Sequence, residues 1–447
     1  MRDLVRRIEA ATPAGRDRAV DALRALAILG VVLGHWLVTA LVADSGTLYS
    51  ASPLHSMPEL APLSWVFQTL AVFFVVGGLV GARSHAAARA RGQSHGRWLR
   101  GRLTRLLRPV AAVLLVWAVA AGAMLALGAD QDTVLTLCRL VWSPLWFVAV
   151  FALLTAATPL VTRLHPLWPF AVVLITDLHR FGLDTPGPFA SVNVVAGWLV
   201  PYCLGTAWAR GELRGRRTGW TLLLGGAAAA VGLVLWAGYP ATMVGVPGEE
   251  VSNLDPPNLA AVTFGLAQCG AALLLLAPLR RVLRRPALWA AVALTNLSAM
   301  TIFLWHQTAM IVVTATGLLP AGPLPGLHTP PDTPGWVLAR PAWLPAFAAV
   351  LLICRAAFHG FETGRSRGRN ALVREDGPAR AAAWPVPDRP VPGARRRGAR
   401  RNGGHGAAAT AAPGRRTADE ATAVLPARPS DGPVDPDRPA ESAPHLR

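Results

Sequence analysis

The sequence predicts an all-α fold: a polytopic transmembrane helical bundle of about ten spans, with both termini cytoplasmic. Three observations predict it. The 447 residues are 53% hydrophobic and only 15% charged, with a mean hydropathy of +0.39, whereas soluble domains carry about 25% charged residues. Apolar runs approaching the roughly 20 residues a helix needs to cross a bilayer recur along the chain. Arginine-rich and acidic loops alternate between those runs, which is the positive-inside pattern of a multi-pass protein.

The chain divides into a basic cytoplasmic N-terminus (1–18), a transmembrane domain (19–362) and a tail (363–447). Residues 21–43, DALRALAILGVVLGHWLVTALVA, form span 1. That run exceeds the apolar core of a signal peptide and more spans follow, so cleavage after it is not expected. Span 2 is expected over 63–82, followed by a loop rich in arginine from Arg83 to Arg108. Span 3 runs over 107–128 with Pro109 in its first turn, and Asp130 and Asp132 mark the next loop. Spans 4 to 8 are placed at 140–161, 167–178, 190–209, 219–238 and 258–279. A helix over 287–297 leads into span 9 at 299–318. Span 10 is 342–361, after a Pro- and Gly-rich loop over 319–341. From about 371 the composition is Arg, Pro, Ala and Gly with few aliphatics, which cannot bury a core, so a disordered cytoplasmic tail is expected. The +18 net charge is all arginine, since the chain has no lysine. Taken alone it suggests nucleic acid; its confinement to alternate loops makes it a topology signal, and no nucleic-acid partner is expected. Cys138, Cys203, Cys269 and Cys354 lie in apolar segments without metal-ligand spacing, so no metal and no disulfide framework are expected.

Ionisable groups inside a membrane helix cost at least ~2–3 kcal/mol each and so usually mark function. Span 1 carries Asp21, Arg24 and His35. Arg24 and His35 fall on one helical stripe, roughly 16 Å apart along the axis, and Asp21 lies within salt-bridge range of Arg24. The stripe reads as an anion-binding head with a buried imidazole, or equally as interface anchors with a packing histidine. A neutral imidazole is a suitable general base. Arg102 and Arg105 stand on adjacent turns where the basic loop enters span 3. Guanidinium forks match phosphate oxygens, so the pair can grip a polyphosphate; ordinary topogenic arginine is the competing reading, and Arg97, Arg100 and Arg108 compete for the role. Phe303-Leu-Trp-His306-Gln307 places a second imidazole inside span 9. Asn193, Gln68, Asn296 and Gln268 are candidate linings of a shared polar cavity, while Trp146, Trp305 and Tyr202 read as packing or as acyl-chain contacts.

On these residues the chain resembles the membrane acyltransferase-3 family. Asp21-Ala-Leu-Arg24 with His35, Arg102-Leu-Thr-Arg105 followed by Leu-Leu-Arg-Pro109, Phe73-Phe74 with Gly77-Gly78, Leu145-Trp146-Phe147, Asp255-Pro-Pro-Asn258 and Phe303-Leu-Trp-His306 are similar to its motifs, in order, over about 17–362. Many members have Ser-Gly-Phe where this chain has Gly77-Gly78-Leu79, and the extracytoplasmic esterase-like domain that some members carry after the last span is not expected here. The resemblance implies an integral membrane O-acyltransferase whose donor is acyl-CoA and whose acceptor is a hydroxyl of a carbohydrate, lipid or secondary metabolite. It implies that Arg24, Arg102 and Arg105 hold the donor's phosphates, that His35 takes the hydroxyl proton or is itself transiently acylated, and that His306 orients the acceptor or stabilises the oxyanion. Partners are then acyl-CoA, the acceptor and the lipid bilayer, and the expected location is the plasma membrane of a bacterium, as its GC-rich residue usage suggests. The reading from another class is a small-molecule transporter; the paired broken-helix repeats common in transporters are not visible in the sequence.

Overall fold

The computed structural model describes residues 2–44, 46–182, 188–213, 215–249, 251–318 and 323–363; the expected disordered tail lies outside the described residues. A short helix α1 (Arg2–Ala10) precedes α2 (Arg18–Val38), capped by Asp17, which accepts from the Ala19 N–H. The apolar stretch expected to be helical to residue 43 turns to strand after Val38. Ala40–Asp44 (β1) pairs antiparallel with Thr47–Ala51 (β2), and Gly46, at φ 86°, supplies the left-handed conformation that the tight hairpin requires.

Then follow α3 (Pro53–Ser56), α4 (Ala61–Phe67), α5 (Leu70–Ala90), α6 (His95–Ala126), α7 (Gln131–Trp142), α8 (Leu145–Ala156), α9 (Thr158–Val161), α10 (Leu167–Asp177), α11 (Asn193–Arg210), α12 (Gly215–Trp236), α13 (Leu259–Val282), α14 (Pro286–Leu297), α15 (Ala299–Gly317), α16 (Pro334–Ala339) and α17 (Leu344–Thr363). Among the described residues, nine helical stretches are long and apolar enough to cross a membrane. The expected fifth span is not among them, because α10 has 11 residues, short of the roughly 20 required.

Two boundaries differ from expectation in ways that matter for the site. Helix α6 begins at His95, so Pro109 lies buried in its interior and Arg102 and Arg105 sit on a helix face rather than at a loop junction. Spans 2, 4 and 9 are each interrupted or flanked by a break: α4 from α5 at Gln68–Thr69, α7 from α8 at Ser143–Pro144, and α14 from α15 at Ser298. Pro144, which has no N–H to donate into the ladder, falls at the second break.

Membrane helices gain little from apolar burial against each other and pack through small residues instead. Helices α5 and α11 touch backbone to backbone: a Cβ on Gly78 would land on the Tyr202 carbonyl oxygen, and one on Gly205 on that of Val75. Gly226 and Gly270 do the same between α12 and α13. Outside this contact, Asp177 at the end of α10 is buried and accepts from Asn193 Nδ2 (3.0 Å), the Tyr239 hydroxyl (3.0 Å) and the Leu259 N–H (2.5 Å). Asn258 caps α13 by accepting from the Ala261 N–H. These bonds pin the segment between α12 and α13 to the bundle.

Candidate active site

The stripe on α2 is as the periodicity demands, and α15 packs its central turns against it. The rings of His35 and His306 lie 5.0 Å apart at 65°. Each Nδ1 bonds a carbonyl of its own helix: His35 that of Val31 at 2.9 Å, His306 that of Phe303. A carbonyl oxygen only accepts, so Nδ1 carries the proton in both, and in a neutral ring Nε2 is then an acceptor. His306 is fully buried and its Nε2 has no partner among the described residues, whereas His35 is half-buried. An unsatisfied buried acceptor costs about 1–3 kcal/mol. An acceptor nitrogen of this kind can take a hydrogen bond from a hydroxyl.

At the other end of the stripe the charges are more interlocked than the spacing suggests. Asp21 pairs with Arg16 (2.6 Å), while its carboxylate still acts on Arg24. Glu362, from the end of α17, caps α15 by accepting from the Met300 and Thr301 N–H groups, and its charge also acts on Arg24. The Arg102 guanidinium donates to Ser84 Oγ (2.7 Å) and lies over the Trp98 ring (5.3 Å), within electrostatic range of Arg24 and Arg105. Arg105 is exposed and donates to the carbonyl of Gly101 one turn back on α6. The competing arginines separate by face: Arg100 and Arg108 line an open groove of about 580 Å³ with Leu99, Leu103, Thr104 and Leu107, roughly opposite the face that carries Arg102. The structure therefore brings Arg24, Arg102 and Arg105 into one cationic neighbourhood and leaves Arg100 and Arg108 out of it.

Between the two ends runs an apolar seam. Ala27, Ile28 and Val31 form one wall; Leu70, Phe73, Phe147, Ala299, Met300 and Phe303 form the other. Its free volume is about 10 Å³, room for about one water. Phe147 packs 4.9 Å from Phe73 and 5.2 Å from Phe303 between ring centroids. The residues of the far wall belong to the first turns of α5, α8 and α15, the three helices that start at the breaks, so the positive ends of α5 and α8 lie at the seam, while that of α15 is capped by Glu362.

The other expected linings lie elsewhere. Asn193 serves Asp177, Asn296 donates to the Asp21 carbonyl, and Gln268 donates to the carbonyl of Gln68. Tyr202 bonds Thr158 (2.8 Å), and Trp305 stacks on Phe358 at 3.8 Å. Ser84, Trp36 and Glu362 escaped the sequence reading because single serines, tryptophans and terminal carboxylates carry no periodic signal. Arg340 left one: it is an arginine outside the basic loops.

Residues 17–359 match the model of the acyltransferase-3 family, described as an acyltransferase domain. No curated protein and no solved structure matches the chain. With a match over most of its length, nine helical stretches able to cross a bilayer and a paired-imidazole site inside them, the chain belongs to the acyltransferase-3 family and is a multi-pass membrane acyltransferase.

Proposed function

We propose that this protein is a plasma-membrane O-acyltransferase that moves an acyl group from acyl-CoA to a hydroxyl of a carbohydrate, lipid or secondary metabolite. The observation that carries the reading is the His35 ring 5.0 Å from that of His306, whose buried Nε2 is unpartnered among the described residues, on a helix stripe that also carries Arg24, itself within electrostatic range of Arg102. Arg102, Arg24 and Arg105 hold the donor's phosphates at the cytoplasmic mouth. The pantetheine arm runs along the seam, whose closed state requires Phe73, Phe147 or Phe303 to turn aside as the donor enters. The stripe's length of roughly 16 Å suits an extended arm that ends at the imidazoles.

His35 Nε2 takes the proton of the acceptor hydroxyl as its oxygen attacks the thioester carbonyl. The tetrahedral oxyanion collapses, the C–S bond breaks, and the thiolate recovers the proton from His35, giving ester and free CoA. With its lone pair exposed, neutral His306 accepts a hydrogen bond and so orients the acceptor; it has no proton to offer an oxyanion. The positive ends of α5 and α8 are the groups suited to that charge. The dry seam limits hydrolysis of the thioester. The test is to incubate membranes containing the wild-type chain with radiolabelled acetyl-CoA and follow label into an ester product; a transporter leaves none. Absence of any acylated product across donor chain lengths overturns the reading.

A further inference from the structure

Arg340 is 1% exposed, and its bonds run to backbone oxygens. Nε donates to the Trp36 carbonyl (2.6 Å), one amine to that of Gly326 (2.9 Å), and the other to that of Thr39 (2.6 Å), with Met310 Sδ at 3.1 Å. The guanidinium is sandwiched between Trp336 and Phe347, 5.3 and 4.8 Å from their ring centroids. Two of the bonded carbonyls close the last turn of α2, where a cation meets the negative helix end. A buried charge is costly enough that its geometry is rarely incidental.

The consequence lies one bond further on. Trp36, whose carbonyl Arg340 holds, adjoins His35 in sequence and donates its own indole N–H to the carbonyl of His306 at 2.9 Å. The two imidazoles belong to different helices and share no hydrogen bond that would fix their spacing. Trp36 supplies that link, and Arg340 fixes Trp36 from outside while also touching α15 at Met310, one turn beyond His306. We infer that Arg340, acting through Trp36, is a positioning residue that sets the separation and orientation of His35 and His306. The inference rests on the proposed acyltransferase chemistry for its effect on rate, and on the described contacts alone for its effect on the pair.

The test uses the full-length protein in native membranes, with [14C]acetyl-CoA as donor, the membranes' own acceptor, and [3H]CoA for equilibrium binding. Trp36→Phe removes one N–H and keeps a ring; Arg340→Met removes every donor; Arg340→Lys keeps the charge but cannot reach all three carbonyls. Transfer at saturating donor is expected to fall about 10- to 100-fold in Trp36→Phe and Arg340→Met, the scale of misplaced catalytic groups. CoA affinity and the KM for acetyl-CoA should stay within about twofold, and Arg340→Lys should recover part of the rate. Carbethoxylation of His306 by diethyl pyrocarbonate, read by mass spectrometry, should be faster in both damaging variants than in wild type. Wild-type transfer and wild-type His306 reactivity in Trp36→Phe overturn the inference, even if Arg340→Met does not fold. Loss of CoA binding in parallel with transfer also overturns it, because that marks general collapse. If the wild-type protein neither binds CoA nor transfers label, the proposed function fails, and His306 reactivity alone decides the positioning role.

Discussion

The rings of His35 and His306 lie 5.0 Å apart, and each Nδ1 is spent on a carbonyl of its own helix. With both Nδ1 protons so engaged, each neutral ring offers a hydroxyl only an acceptor nitrogen. Replacing His35 by Ala is expected to lower acyl transfer by about 10²–10⁴-fold, the usual contribution of a general base. Membrane insertion should be unaffected, since the half-buried ring supports little packing. Full activity in His35→Ala would remove the base from the mechanism.

Arg102 and Arg105 should not contribute equally. Arg102 is held on the inward face by Ser84 Oγ, beside Arg24, whereas Arg105 is exposed. Arg102→Ala is expected to raise the KM for acyl-CoA by about one to two decades, as charge-assisted bonds contribute ~1.5–3 kcal/mol. Arg105→Ala should have a smaller effect, and Arg100→Ala and Arg108→Ala almost none, because their groove faces away. Steady-state kinetics over a range of donor concentration ranks the four; a larger effect for Arg108 than for Arg102 would move the phosphate site to the outer groove.

The seam offers a test that separates binding the donor's head from delivering its acyl end. Ala27 lines the seam between Arg24 and His35. Ala27→Phe should block transfer while leaving the binding of the CoA head measurable, because the arginines are untouched. Phe147→Ala should ease donor entry and raise transfer at low donor concentration. An Ala27→Phe protein that transfers normally would show that the arm takes another path.

Stability should be most sensitive where backbones meet. A Cβ on Gly205 would collide with the Val75 carbonyl and the Leu79 N–H, so Gly205→Ala is expected to cost about 1–3 kcal/mol or more, as overpacking does. By contrast, Gly225 has open space around it, and Gly225→Ala should be neutral or stabilising through helix propensity. Thermal melts of the two variants in the same detergent check the contrast.

Helical period and composition settle the local part of the architecture. The α2 stripe that joins Arg24 to His35 is a matter of helical repeat, and the apolar runs with their alternating arginines declare a multi-pass protein. Tertiary structure decided everything that depends on a partner from elsewhere in the chain. It shortened the expected fifth span, extended α6 so that Pro109 lies inside it, and gave Asp21 to Arg16. It sent Asn193 to Asp177 and away from the histidines, and it told Arg102 from Arg108 by the neighbour each helix face meets. It also brought His306 to His35 across 271 positions of chain and tied them through Trp36, whose indole partner is 270 residues away. Local periodicity fixes which side chains share a face; which face meets which is settled only when helices pack, by small residues that allow contact and by buried polar groups that must each find a bond.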